Sequence, residues 1–119
     1  MTTLADLTGA LHEALHAHLR ASDFDLESNE AAGSVEVTTD DWTLTFEGFP
    51  ETPVAYISVD NEPDEPVEYE RAVHDAIRPA EMRALQAANA ASGGAIASAL
   101  ATSGDPFSEY LGGVVGAGG

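Results

Sequence analysis

The hydrophobic pattern begins with a helix. Leucines recur at steps of three and four residues near the start of the chain, at Leu4, Leu7, Leu11, Leu15 and Leu19. This spacing places apolar side chains on one face of a helix. Thr2 or Thr3 can cap the first turn, and we expect the helix to extend to about Ala21. The leucine face should pack against the rest of the fold.

Apolar and polar residues then alternate, which is typical of half-buried strands. The alternation predicts strands over Ser34 to Thr38, Trp42 to Glu47 and Val54 to Val59, with Phe24 to Ser28 as a fourth strand or an extended lead-in. Thr39-Asp40-Asp41 predicts a tight hairpin connection, and Gly48 to Pro53 predicts a longer loop. One buried face per strand favours an antiparallel sheet.

Helices are predicted after Pro66, which suits the first turn of a helix with Val73 and Ile77 on its buried face. Pro79 should begin a second helix because proline interrupts the hydrogen bonds of a continuous one. Gly93-Gly94 should divide that helix into about 79–92 and 95–103. Strands do not alternate with helices. The predicted fold is therefore α+β, with an N-terminal helix, a three- to four-stranded antiparallel sheet and C-terminal helices packed on the sheet.

Ala84 to Gly104 contains no Asp, Glu, Lys or Arg. An amphipathic helix in so small a domain should carry charges on its outer face, so the neutral outer face favours burial on two sides. Burial within the core alone is the alternative reading. The apolar content is too low for a membrane span, because Leu85, Ile96 and Leu100 are its only large aliphatic residues.

The composition predicts a strongly acidic surface. The chain of 119 residues has 21 acidic residues against four basic ones, all arginine, and a formal net charge of −17. Salt at about 1 M shortens the Debye length to about 3 Å and screens the repulsion that such a charge creates. We interpret this composition as that of a halophile protein; an acidic nucleic-acid mimic is the alternative. Binding to nucleic acids or to anionic membranes is disfavoured for want of a basic patch.

Residues 105–119 form a separate C-terminal segment after a domain predicted over 1–104. Five of the last eight residues are glycine, and glycine stabilises helices and strands poorly. We expect an interaction tail, with a frayed end as the alternative. The predicted interface residues, on the charge-free stretch and this tail, are Ile96, Leu100, Phe107, Tyr110 and Leu111.

His12-Glu13-Ala14-Leu15-His16 matches the HExxH pattern of zinc metallopeptidases, in which two histidines four residues apart share a zinc ion. The longer metzincin pattern does not continue, because its glycine and third histidine positions fall on Leu19 and Ser22. A third ligand would have to be Glu68, Glu70 or His74. The favoured interpretation is that His12 and His16 are half-exposed residues of an ordinary helix, and that His18 is a packed or interface histidine. The acidic loop Asp60 to Glu65 lacks the spacing of a calcium loop and is expected to be solvated.

The order of elements resembles that of tail-terminator and neck proteins of tailed viruses. The resemblance rests on the helix Leu4 to Leu19, the three strands from Ser34 to Val59 and the helices after Pro66. It implies a ring-forming structural protein of a virion, in contact with itself and with neighbouring structural proteins, without catalytic residues, metal or cofactor. Together with the acidic composition, it implies assembly in a high-salt cytoplasm. The alternatives are a small cytoplasmic binding domain, a domain similar to secretion chaperones, and, more remotely, a zinc peptidase.

Overall fold

The computed structural model describes residues 3–49 and 51–117 and confirms the α+β fold. The helices are α1 (Leu4–His18), α2 (Tyr69–Ala76), α3 (Pro79–Ala91), α4 (Ala95–Ala101) and α5 (Pro106–Ala117). The strands are β1 (Asp25–Asn29), β2 (Ser34–Thr38), β3 (Trp42–Glu47) and β4 (Val54–Val59). Short 3-10 turns occur at Ala21–Asp23 and Pro66–Glu68. The described residues contain no helix with the length and apolar content needed to cross a membrane.

The sheet is an antiparallel meander in the order β1-β2-β3-β4. Its inner face is apolar and buried, and consists of Val35, Val37, Trp42, Leu44, Phe46, Ala55 and Ile57. The alternate positions carry mainly threonine, serine and glutamate and face away from the helices. The fold is therefore two layers, a sheet and a helical layer, with the core between them.

Helix α1 begins at the predicted cap. The Thr3 hydroxyl accepts a hydrogen bond from the Asp6 amide at 3.2 Å, while the Asp6 carboxylate accepts one from the Thr3 amide at 3.3 Å, which is a capping box. Thr2, the alternative cap, lies outside the described residues. The helix ends at His18, before the predicted Ala21, because the chain becomes extended at Leu19 and Arg20. The Asp23 carboxylate then accepts the Arg20 amide at 3.3 Å and closes the following turn.

The charge-free stretch forms the end of α3 and all of α4, divided as predicted at Gly93 and Gly94. Both glycines have positive φ, 70° and 88°, a conformation that residues with a Cβ rarely adopt. The buried Asn89 fixes the turn, because its Oδ1 accepts the Ala97 amide at 2.9 Å and its carbonyl accepts the Gly94 amide at 2.8 Å. Helix α3 packs on α1, and α4 packs on β4.

The C-terminal segment differs from the predicted tail. Residues 106–117 form α5, which buries Phe107, Leu111 and Val115 in the core of the same chain. Helix α5 lies against α4 and β4, so the described part of 105–119 belongs to the same domain as 1–104. Its glycines allow this close packing: a Cβ at Gly112 would lie 3.0 Å from the Leu100 Cβ. Gly118 and Gly119 lie outside the described residues.

Candidate interaction surface

The five predicted interface residues lie mostly in the core of the chain itself. Ile96, Leu100, Phe107 and Leu111 are buried, and only Tyr110 remains partly exposed. The prediction that these four buried side chains contact another chain is therefore wrong. The physical cause is that the glycine-rich segment folds as α5 and packs on α4 and β4 of the same chain, where a neighbouring chain was expected.

The charge-free stretch keeps one face in contact with solvent. Its exposed positions carry small residues, among them Ala87, Ala90, Ser98 and Ala101. The other face packs on α1, α5 and the sheet. That a second molecule covers this exposed face stays a prediction, because small side chains do not by themselves identify a contact surface.

The HExxH histidines lie side by side on α1. The ring centroids of His12 and His16 are 4.3 Å apart, and the His16 ring meets Phe24 edge-on at 5.1 Å. Both histidines are exposed. Within residues 3–49 and 51–117, no three His, Asp or Glu side chains are grouped so that they could hold a metal ion. His18, expected to be a packed or interface histidine, is exposed at the end of the helix, so it is not packed within the chain, and an interface role stays a prediction.

Glu81 is a buried carboxyl group that sequence reasoning missed. It is 1% exposed, and its Oε1 accepts the Trp42 indole N–H at 3.2 Å and the Arg78 amide at 2.9 Å. It therefore joins the first turn of α3 to β3. An acidic residue three positions after the cap is a known helix-start signal, and it could have indicated the hydrogen bond to Arg78. Both bonds are structural, since they hold neighbouring elements of the same core.

A groove opens between α2, α3 and α5, and we call it the helical groove. Its apolar lining consists of Val67, Val73, Ile77, Met82, Tyr110 and Val114. Val67 is 82% exposed, and Tyr110 and Val114 are partly buried. The Tyr69 ring lies 5.6 Å from Tyr110, which lines the groove, and 5.5 Å from Phe107 between centroids. This aromatic packing holds the Tyr110 side chain in place.

The helical groove lies in a part of the chain that carries little net charge. Residues 66–86 contain three of the four arginines and four of the 21 acidic residues, a formal charge of −1 out of −17. Glu70, Arg71 and His74 line the groove, so its acidic and basic side chains balance. The Arg71 guanidinium lies 3.8 Å from the Asp75 carboxylate, and both side chains are largely exposed. This ion pair therefore contributes little to the stability of the fold.

The outer face of the sheet is polar and acidic. Glu27, Glu36, Thr45 and Tyr56 stand side by side across β1 to β4, a row about 14 Å wide at the usual strand spacing. Tyr56 is 40% exposed, and among the described residues it and Val67 are the exposed large hydrophobic side chains. Glu30 and Glu47 line the same concavity as Glu27 and Glu36. We call this surface the outer sheet face.

Sequence patterns did not predict the helical groove, because its walls come from three helices. The grouping of three arginines after Val67 was the available sequence signal. Comparisons of the chain with protein-family models, with curated proteins and with solved structures find no match.

Proposed function

We propose that this protein is a non-enzymatic assembly protein that self-associates in concentrated salt through the helical groove. The observation that carries the proposal is the groove itself, in which Val67, Tyr110 and Val114 are accessible beside Arg71. Apolar side chains that remain exposed together are typical of protein contact surfaces. Tyrosine and arginine are also the residue types enriched where contacts contribute most to affinity.

The charge distribution supports association at this surface. Two copies of a chain with net charge −17 repel each other, and a facing segment with a formal charge of only −1 adds little to that repulsion. Salt at about 1 M limits the repulsion to about 3 Å, while groups in direct contact still interact. We therefore expect association to strengthen as the salt concentration rises.

Adaptation to salt is supported by the unpaired carboxylates. Among residues 3–49 and 51–117, the structure shows one ion pair, Arg71 with Asp75. Glu27 stands directly opposite Glu36 on neighbouring strands, an arrangement of like charges that destabilises a sheet unless it is screened. A protein of a halophile, or of a virus that infects one, would lie in a cytoplasm whose salt screens this repulsion.

The finer proposal is a ring-forming component of a virion neck or tail, in contact with neighbouring structural proteins. It is supported by the order of helix, antiparallel sheet and helices, and by the presence of a surface suited to self-association. The test is whether the protein is found in purified particles of a halophilic virus, by mass spectrometry. If the protein is absent from such particles, the finer proposal is wrong. Self-association is tested by a separate experiment.

Sedimentation velocity in multimolar KCl tests the contact surface. Val67→Asp should reduce the association of the wild-type protein, because it places a charge in the apolar groove without disturbing the core. Ala5→Asp, at an exposed position of α1, is the matched control and should sediment as wild type does. Ser98→Asp probes the charge-free stretch. Loss of association in Ser98→Asp but not in Val67→Asp would contradict the proposal and identify α4 as the contact surface instead.

A further inference from the structure

Helix α1 carries a pair of imidazole rings on its exposed side. His12 and His16 are four residues apart, so they are neighbours on one face of the helix. Their ring centroids are 4.3 Å apart, and the ring planes are inclined by 53°. Both side chains are exposed. Within residues 3–49 and 51–117, no hydrogen bond or ion pair joins either ring to another side chain, so ring nitrogens of both are available to a ligand.

One of the two rings is held by the core. The His16 ring packs edge-on against Phe24, with 5.1 Å between the centroids and 73° between the planes. Phe24 is buried and belongs to the hydrophobic core. The backbone of both histidines is fixed within α1. A ligand that joins the two rings therefore orders little of the chain that is not already ordered, which favours binding.

We infer that His12 and His16 form a chelating site for a divalent transition-metal ion, above all Cu²⁺. Imidazole nitrogen suits Cu²⁺, Ni²⁺ and Zn²⁺, and Cu²⁺ is bound most tightly among the divalent first-row ions. Water fills the remaining coordination positions, because the site is open to solvent. The inference does not depend on self-association, and it assigns no catalytic role to the ion.

The separation of the rings favours Cu²⁺ over Zn²⁺. With metal–nitrogen bonds of about 2.0–2.1 Å, two rings on a tetrahedral ion have centroids roughly 5 Å apart, whereas rings at neighbouring corners of a square-planar ion have centroids roughly 4.5 Å apart. The observed 4.3 Å is closer to the square-planar arrangement. Zinc sites also take three or four protein ligands, and the described residues group no third His, Asp or Glu side chain with this pair to hold a metal.

The carboxylates of the chain are the competing ligands for cations. The chain has 21 acidic residues, and its negative charge raises the local concentration of any cation. Carboxylate oxygen suits Mg²⁺, however, whereas imidazole nitrogen suits Cu²⁺. Excess Mg²⁺ should therefore occupy the carboxylates and leave the imidazole pair to Cu²⁺.

Calorimetric titration with a copper(II) salt, in molar KCl with excess MgCl₂, tests the inference. The wild-type protein should bind a single Cu²⁺ ion per chain. His12→Asn and His16→Asn should each weaken this binding by about 10²-fold or more, because one imidazole loses the gain from two linked ligands. The matched controls are His18→Asn, on the same helix but off this face, and His74→Asn on α2. Both controls should bind Cu²⁺ as the wild type does.

The electron paramagnetic resonance spectrum of the bound Cu²⁺ gives a second readout. It should show two imidazole ligands in the wild-type protein and no more than one in His16→Asn. All four histidines are exposed, so the variants should fold, which circular dichroism checks. Wild-type affinity in His12→Asn or His16→Asn, an equal loss of affinity in His18→Asn, or a wild-type protein that binds Cu²⁺ no more tightly than these variants would each overturn the inference.

Discussion

At the scale of single residues, Glu81 connects the two layers of the fold. Its carboxyl group accepts hydrogen bonds from Trp42 on β3 and from the amide of Arg78. Glu81→Ala should lower the free energy of unfolding by about 1–3 kcal/mol, because it leaves a buried indole N–H without an acceptor. Glu81→Gln retains an acceptor oxygen and should cost less.

Urea denaturation followed by tryptophan fluorescence measures this effect, since Trp42 is the single tryptophan. Glu13→Ala, at an exposed site on α1, is the control and should change the stability little. Equal stabilities for Glu81→Ala and Glu13→Ala would show that the Trp42–Glu81 bond does not hold the layers together.

At the scale of elements, α5 depends on close approach to α4. A Cβ at Gly112 would lie 3.0 Å from the Leu100 Cβ and 3.1 Å from the Ala97 carbonyl oxygen, whereas one at Gly113 would meet no atom within 4 Å. Gly112→Ala should therefore destabilise the protein by about 1–3 kcal/mol through overpacking. Gly113→Ala should stabilise it by about 0.5–1 kcal/mol, because alanine favours the helix.

Thermal unfolding of the two variants, one residue apart on the same helix, checks this prediction. Opposite changes in the melting temperature are expected. A similar gain in both variants would mean that α5 does not pack on α4 through Gly112.

The strands were predictable because their pattern is local. The limits of β2, β3 and β4 match the predicted ones, since apolar and polar residues alternate at Val35 to Val37 and at Trp42 to Phe46, and Val54 to Val59 is rich in β-branched and aromatic residues. Helix α5 was not predictable in this way. Its glycines disfavour an isolated helix, and its stability comes from packing that only the folded chain supplies. The helical groove was not predictable for the same reason, because it forms only where three helices pack together.

At the scale of the whole molecule, the negative charge should make stability depend on salt. The free energy of unfolding should rise between about 0.1 M and about 1 M KCl as the Debye length falls from about 10 Å to about 3 Å. Glu36→Gln removes the charge opposite Glu27 and should stabilise the protein at low salt by about 0.2–1 kcal/mol. This gain should shrink at high salt.

Denaturation curves at several KCl concentrations give the comparison. Glu13→Gln removes the same charge from α1, away from the sheet, and shows what a general reduction of charge contributes. A stability that is independent of salt in all three proteins would contradict the halophile interpretation.

The proposed function depends on self-association of this chain in concentrated salt. Light scattering coupled to size exclusion, over a range of protein concentrations in multimolar KCl, measures that association. Self-association should give a molar mass that rises with concentration to several times the 12.3 kDa of the chain, and a lower mass when the salt is diluted. A constant mass of one chain at every concentration and salt level would contradict it.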